Sequence, residues 1–191
     1  MVYEKNYGVV AYKKIYPQRI DGMTLNSSKV LYSAKNSAGE ITDLIINDVT
    51  GDARMYGIIM DKDSTISKTE GVSSESYVID FGSTTGTYSY IRKLSKGTPV
   101  WAYVSGNEVK AITELESYSG YIDTLTHSTA IINNTTYELS DSVLVYRKDS
   151  SNNILRLSID EAMSGNYNLK AYYDKPQSSG GRIRVIVAQS K

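Results

Sequence analysis

The sequence predicts an all-β chain built as tandem small, partly open antiparallel β-barrels of the OB-like kind, with one short helix near 158–164. Three observations carry this. Tyr, Val, Ile and Thr cluster in short runs broken by Gly, Ser, Asn and Asp, the punctuation of strands and turns. The aromatic residues are 17 Tyr against one Phe (Phe81) and one Trp (Trp101), which suits half-buried strand positions where a ring packs and its hydroxyl stays wet. A hairpin is written three times, as "KVLYSAKNSAGEITDLII", "VWAYVSGNEVKAITEL" and "LKAYYDKPQSSGGRIRVIVA".

Aligned on Tyr32, Tyr103 and Tyr172, the three hairpins have return strands beginning at Ile41, Val109 and Ile183. Thr42, Lys110 and Arg184 follow, and then Leu44, Ile112 and Ile186. In the last copy, alternation places Leu169, Ala171 and Tyr173 on one face. It groups Ile183, Val185 and Val187 on one face of the partner strand and turns Arg182 and Arg184 away. Upstream, "YGIIMDKD" at 56–63 matches "SGYIDTLT" at 119–126, and "SYVIDF" at 76–81 matches "TYELSD" at 136–141. The first copy lacks this front section, and its "VVAYKK" at 9–14 resembles "VLVYRK" at 143–148. The expected organisation is an N-terminal β-domain over 1–118, made of a half-repeat 1–55 and a repeat 56–118, and a C-terminal small barrel repeat over 119–191. In that last repeat, strands are expected at 119–126, 129–133, 136–146, 167–174 and 182–189. Asn133-Asn134 forms a tight turn, because asparagine tolerates positive φ. In "RLSIDEAMSGN", Ser158 three residues before Glu161 is a capping-box pattern, and Gly165 marks the helix end. The three repeat tyrosines are expected to share one packed environment.

Composition removes several function classes. The 21 basic and 21 acidic residues balance, against the basic excess that nucleic acid or a polybasic membrane contact wants. No apolar run approaches the length that spans a bilayer, so no membrane insertion is expected. With no cysteine there is no disulfide, thiolate zinc site or cysteine nucleophile. No signal peptide is visible, which fits a piece of a longer protein.

Reactive groups are sparse. His127, the one histidine, lies in the loop "DTLTHSTA", and no serine sits in a nucleophile-elbow pattern. "SSGGRIR" at 178–184 reads as a hairpin turn rather than a phosphate cradle. Asp61 and Asp63 in "MDKDST" have the spacing that opens a calcium loop, but Thr65 and Ile66 stand where a third ligand and a glycine belong. Asp48 and Asp52 flank Gly51 in "NDVTGDAR", read as a solvated linker turn; no spacing marks a pair of catalytic carboxylates. No catalytic residue, metal site or cofactor is expected.

The ending "YNLKAYYDKPQSSGGRIRVIVA", with "GYIDTLTHSTAIINNTTYELSDSVLVY" and "ITDLIINDVTGDARMYGII", resembles C-terminal repeat regions of cell-surface proteins from Gram-positive Firmicutes, chiefly Clostridia, that contain S-layer homology domains elsewhere in the chain. The resemblance covers most of residues 30–191 and is one of strands and turns. The S-layer homology domains are not in this sequence, so their anchoring activity does not transfer to it. The resemblance implies an extracellular location at the cell wall, with signal peptide and anchor outside this sequence and other domains of the same surface protein as partners. It offers no catalytic residues. The function expected is a non-catalytic structural or spacer module. The alternative is a glycan- or peptide-binding β module, possible cell-wall ligands included. It would use a surface around Trp101 and Tyr103, which share one side of a strand opposite Val100 and Ala102.

Overall fold

Residues 1–6, 11–69, 72–105 and 108–191 are described in the computed structural model, without the side chains of 63–69, 72, 73, 105 and 108. Val9, Val10, Gly106 and Asn107, part of the motifs above, lie outside the described residues. Among the described residues the chain is all-β apart from one α-helix and two short 3₁₀ turns. Strands β1 (Val2–Lys5), β2 (Tyr12–Ile15), β3 (Val30–Lys35) and β4 (Ile41–Ile46) form a first sheet in the order β2-β1-β4-β3. Strands β5 (Met55–Thr69), β6 (Val72–Asp80), β7 (Thr85–Tyr90), β8 (Pro99–Ser105) and β9 (Glu108–Glu114) form a second, ordered β7-β6-β5-β8-β9. The third holds β10 (Glu116–Ser117), β11 (Thr124–Leu125), β12 (Thr129–Ile132), β13 (Thr135–Lys148), β14 (Ile154–Leu157), β15 (Tyr167–Tyr173) and β16 (Ile183–Ser190). Its order is β10-β15-β16-β13-β12-β11, with β14 also on β13.

Among the described residues no sheet closes into a barrel, and two strand pairs are parallel rather than antiparallel: β1 with β4, and β13 with β16. Face-to-face packing takes the place of closure. One face of the second sheet buries Ile59, Tyr77, Ile79, Val100, Ala102 and Ile112 in a cluster of its own. The other face presents Tyr56 and Ile58 to Leu144, Tyr146, Val185 and Val187 of the third sheet. This shared cluster, which also includes Leu115, crosses the 118/119 boundary. The far face of the third sheet buries Ala130, Ile132, Leu139, Val145, Leu169 and Ile186 under Ala162 of the helix. A smaller cluster of Val2, Ile15, Leu44 and Ile46 serves the first sheet.

The local signals hold. Asn133 and Asn134 adopt φ of 50° and 60° in a two-residue turn between β12 and β13. The helix α1 (Ile159–Ser164) is capped by a reciprocal box of Ser158 and Glu161, and Gly165 ends it.

Strands β1–β4 and β13–β16 have one topology: a hairpin, a short helical turn, a second hairpin, and a parallel contact between first and last strands. The helical turn is Pro17–Ile20 in one and α1 in the other. The parallel register sets Val2 opposite Leu44 and Val145 opposite Ile186, so "VYEK" at 2–5, not "VVAYKK" at 9–14, is the counterpart of "VYRK" at 145–148. The second copy differs: β8 joins its sheet antiparallel to β5, and β9 is left at the edge. What all three hairpins share is a bulge on the return strand. Ala34 pairs Asp43 and Lys35 pairs Ile41; Tyr103 pairs Ala111 and Val104 pairs Val109; Tyr172 pairs Val185 and Tyr173 pairs Ile183. The extra residue is Thr42, Lys110 or Arg184, the three positions that the sequence alignment set together. The same register equates Ala34, rather than Tyr32, with Tyr103 and Tyr172. Accordingly Tyr32 is exposed, while Tyr103 and Tyr172 are half-buried.

The bulge also corrects the facing of the last strand. Ile183, Ile186 and Ala188 pack on the helix side, whereas Val185 and Val187 pack toward the second sheet. Arg184 does not point to solvent; it is 1% exposed. A strand covered on both faces reads as a nearly continuous apolar run, and "IRVIVA" is one, interrupted only by that arginine.

Candidate functional site: a buried ionic clamp

The segment 47–54, "NDVTGDAR", joins the first sheet to the second and lies where all three sheets meet. It is no solvated turn: Thr50, Gly51 and Ala53 are buried, and Asp52 is largely so. A buried loop must have its backbone groups satisfied. Glu4 of β1, itself fully buried, does much of this. Its carboxylate accepts from the amides of Val49 (2.6 Å), Thr50 (2.7 Å) and Ala53 (3.1 Å) and from the Thr50 hydroxyl (2.8 Å). Lys13 donates to the Asp52 carbonyl, Lys29 to that of Asp48 and Lys175 to that of Val49.

Arg184 enters from the bulge of β16. Its Nη1 donates to Asp52 Oδ1 (2.6 Å) and Ser140 Oγ (3.1 Å), its Nη2 to the Thr50 carbonyl (2.8 Å), and its Nε to Asp174 Oδ1 (3.1 Å). Tyr56 of β5 lies beneath the guanidinium at 4.8 Å, and its one hydroxyl proton is directed at two acceptors, Asp174 Oδ2 (2.8 Å) and the Gly51 carbonyl (2.8 Å). Arg19 holds Asp52 from the first sheet's side, with Nε 2.7 Å from Oδ2. Arg54 forks onto Asp48, with both contacts at 2.7 Å, and lies 4.2 Å over the Trp101 ring. Gly51 is required here twice over. Its φ is +76°, and a Cβ would stand 2.3 Å from Asp174 Oδ2.

The electrostatics follow from this pairing. Burial pushes the Asp52 carboxyl up, but the hydrogen bond from Arg19 and the charge of Arg184 outweigh it, so Asp52 titrates at about 2. Burial works against the charge of Arg184 as well, yet Tyr56, Asp174 and Asp52 around it hold its pKa above the usual value. Burial raises the Tyr56 hydroxyl well above its ordinary range and lowers Lys175. Each charge in the cluster is answered by another charge or by fixed dipoles. The arrangement can hold three sheets in register. It presents no nucleophile beside a base.

A cleft of about 650 Å³ opens beside the clamp, between Lys13–Pro17 and Ser140–Ser142, with Asp52 on its wall. Trp101 and Tyr103 line neither this cleft nor three others, which lie around the first sheet, the clamp, the turn after Phe81 and the second hairpin turn of the third sheet. Val100 and Ala102 are fully buried on the opposite face, as the alternation requires. Trp101 packs against the cluster shared by the second and third sheets, under Arg54. Tyr103, two residues along, is half-buried on that same face. His127 is exposed, but its Nε2 lies 2.8 Å from Asp160 Oδ1 in the first turn of the helix, a partner that sequence spacing does not reveal. Asp61 is exposed near Lys96, and the Asp63 side chain lies outside the described residues. Among the described residues no group of three or more metal-ligating side chains converges, and no helix is long and apolar enough to cross a membrane.

Sequence reasoning missed Glu4, Arg19, Arg54, Asp174 and Arg184. One signal was present: a single arginine inside the six-residue apolar run of the last strand demands a buried counter-charge. Compared with known proteins, the chain matches no family model, no curated protein and no solved structure.

Proposed function

We propose that this chain is a non-catalytic structural module, a spacer or assembly unit of an exported, wall-attached bacterial surface protein. The observation that supports this best is the clamp. Buried charged residues, Glu4, Asp174 and Arg184 among them, bind one another and the backbone of a single loop, and they join the two four-stranded units to the second sheet. Such a device resists relative motion of the sheets, which suits a load-bearing spacer. The location at the cell wall rests on the resemblance of the strand and turn pattern to clostridial surface proteins. Binding of glycan or peptide through Trp101 and Tyr103 is the competing reading, and packing of Trp101 between two sheets weighs against it.

Two measurements test the proposal. Antibodies against the chain should label intact cells of the source organism as strongly as lysed ones; labelling only after lysis removes the surface reading. On arrays of cell-wall glycans and peptides, the protein should show no binding that depends on Trp101→Ala or Tyr103→Ala. Binding lost in both variants establishes the binding module instead.

A further inference from the structure

The two equivalent four-stranded units differ at one edge. In the last unit, the outer side of β15 is covered by the extended segment that precedes it. Glu116 pairs Tyr173, and Ser117 pairs Tyr172. The Tyr118 amide donates to the Ala171 carbonyl (3.1 Å) and the Ile122 amide to the Leu169 carbonyl (2.8 Å). Tyr173 donates its hydroxyl to the Glu116 carboxylate (2.9 Å), and the Tyr118 ring packs on that of Tyr173 at 4.2 Å. With Tyr118, Ile122 and Leu125 on the same cluster, Ile183 is wholly buried.

In the first unit, β3 is the counterpart of β15 and ends its sheet with no strand beside it among the described residues. Ile41, which stands at the position of Ile183, is 57% exposed, and Leu31 (49%) and Tyr32 (53%) are exposed on the same hairpin. An uncovered strand edge whose hairpin leaves apolar side chains exposed is a template for another strand. The counterpart of Tyr173 is Lys35, so a carboxylate at the position of Glu116 would here meet an ammonium group instead of a phenol.

We infer that the β3 edge is a docking site for an extended, acidic and tyrosine-bearing segment of the chemistry of residues 116–125, supplied by a neighbouring repeat of this kind. The segment adds antiparallel to β3, places its carboxylate at Lys35 and covers Ile41. This inference stands on the comparison of the two units and does not depend on the cell-surface reading.

The probe is a synthetic peptide of residues 114–126, ELESYSGYIDTLT, added to the full 191-residue protein, whose own β15 edge is already occupied. By its correspondence with Ala171, the amide and carbonyl of Ser33 point outward. Ser33→Pro therefore blocks the edge and leaves the β3–β4 ladder intact. The expected result is slowed amide exchange over 30–35 on peptide addition. Ser33→Pro and Ile41→Asp should each weaken binding by about tenfold or more, and a peptide carrying Glu116→Lys should bind more weakly than the parent. Circular dichroism checks that each variant is folded; Ile41→Asp alters an exposed side chain and serves if Ser33→Pro does not fold. No slowing at β3, or equal binding by both variants, overturns the inference. Self-association of the protein alone that Ser33→Pro abolishes also overturns it, because the occupant is then a second β3 edge.

Discussion

At the same point of the same four-stranded topology, the first unit places Thr42 and the last unit places Arg184. Both are the extra residue of a bulge, so both side chains are freed from the strict alternation of the strand. Thr42 lies at the surface, where its hydroxyl reaches the Ala34 carbonyl across the hairpin (3.4 Å). Arg184 reaches instead into the loop that leaves the first unit and binds Asp52, Thr50, Asp174 and Ser140. Topology is therefore not what determines the role of this position. The bulge supplies a direction, and whatever lies in that direction decides whether the residue is idle or structural.

The largest effect should come from removing that difference. Arg184→Ala leaves Asp52 and Asp174 with reduced compensation in a buried site, and breaking one partner of a buried pair costs about 3–5 kcal/mol. Thr42→Ala should stay within about 0.5 kcal/mol, as for ordinary surface positions. Urea unfolding of the two variants measures both. Similar losses for the two would mean that the clamp contributes no more than a surface hydroxyl.

The tyrosines sharpen the same contrast. Tyr172 packs against the cluster shared by the second and third sheets, whereas Tyr32 is more than half exposed. Truncating Tyr172 to alanine should cost about 3 kcal/mol, near the lower end for buried aromatics, and truncating Tyr32 about 0.5 kcal/mol or less. Equal costs would restore the single repeat position on which sequence alignment placed both.

How far the sequence shows this architecture depends on the range of the interaction. Asn133-Asn134, the Ser158–Glu161 box and the three hairpins are legible because the residues that decide them lie within a few positions of one another. The parallel contacts of β1 with β4 and of β13 with β16 join strands whose paired residues are about forty apart, and no local pattern announces them. In the first and last units the return strand pairs in parallel with that distant first strand, a contact that the expected antiparallel barrels lack. The clamp was hidden for a different reason. "NDVTGDAR" carries the Asn, Asp and Gly of an exposed turn, and those same residues serve a buried one once arginines from other sheets arrive. Alternation sets Trp101 and Tyr103 on one face, but which surface lies over that face is set by the second sheet's packing on the third.

Acid should find the clamp before it finds the rest of the core. The Asp52 carboxyl titrates at about 2 in the folded chain, below its ordinary value of 3.8. A depressed folded value means that the stabilisation is fully present above the unfolded value, near pH 4, and is lost as pH falls toward 2. The difference corresponds to about 2 kcal/mol. Asp48, lowered by its fork with Arg54 in spite of burial, adds in the same direction. Stability measured by urea at pH 7 and at pH 2.5 should fall by more in the parent protein than in Asp52→Asn, which has already lost the charge. An identical acid response in both would place the acid-sensitive group elsewhere.

The smallest effect is expected at the residue with the most familiar chemistry. His127 has a carboxylate partner at 2.8 Å, the geometry in which a histidine is often read as a catalytic base. Its surroundings argue otherwise. The His127 and Asp160 side chains are 68% and 73% exposed, so water screens the pair and competes for both ends of the hydrogen bond. Asp160 sits in the first turn of α1, where a negative charge is favourable with or without the imidazole. The contrast with Arg184 is one of burial: a hydrogen-bonded pair at the surface against a charge that meets its partners out of water. His127→Ala should change stability by no more than about 0.5 kcal/mol. A loss of about 2 kcal/mol or more would show that the loop before β12 is anchored through this pair, and that exposure is the wrong criterion for ranking the charged contacts of this protein.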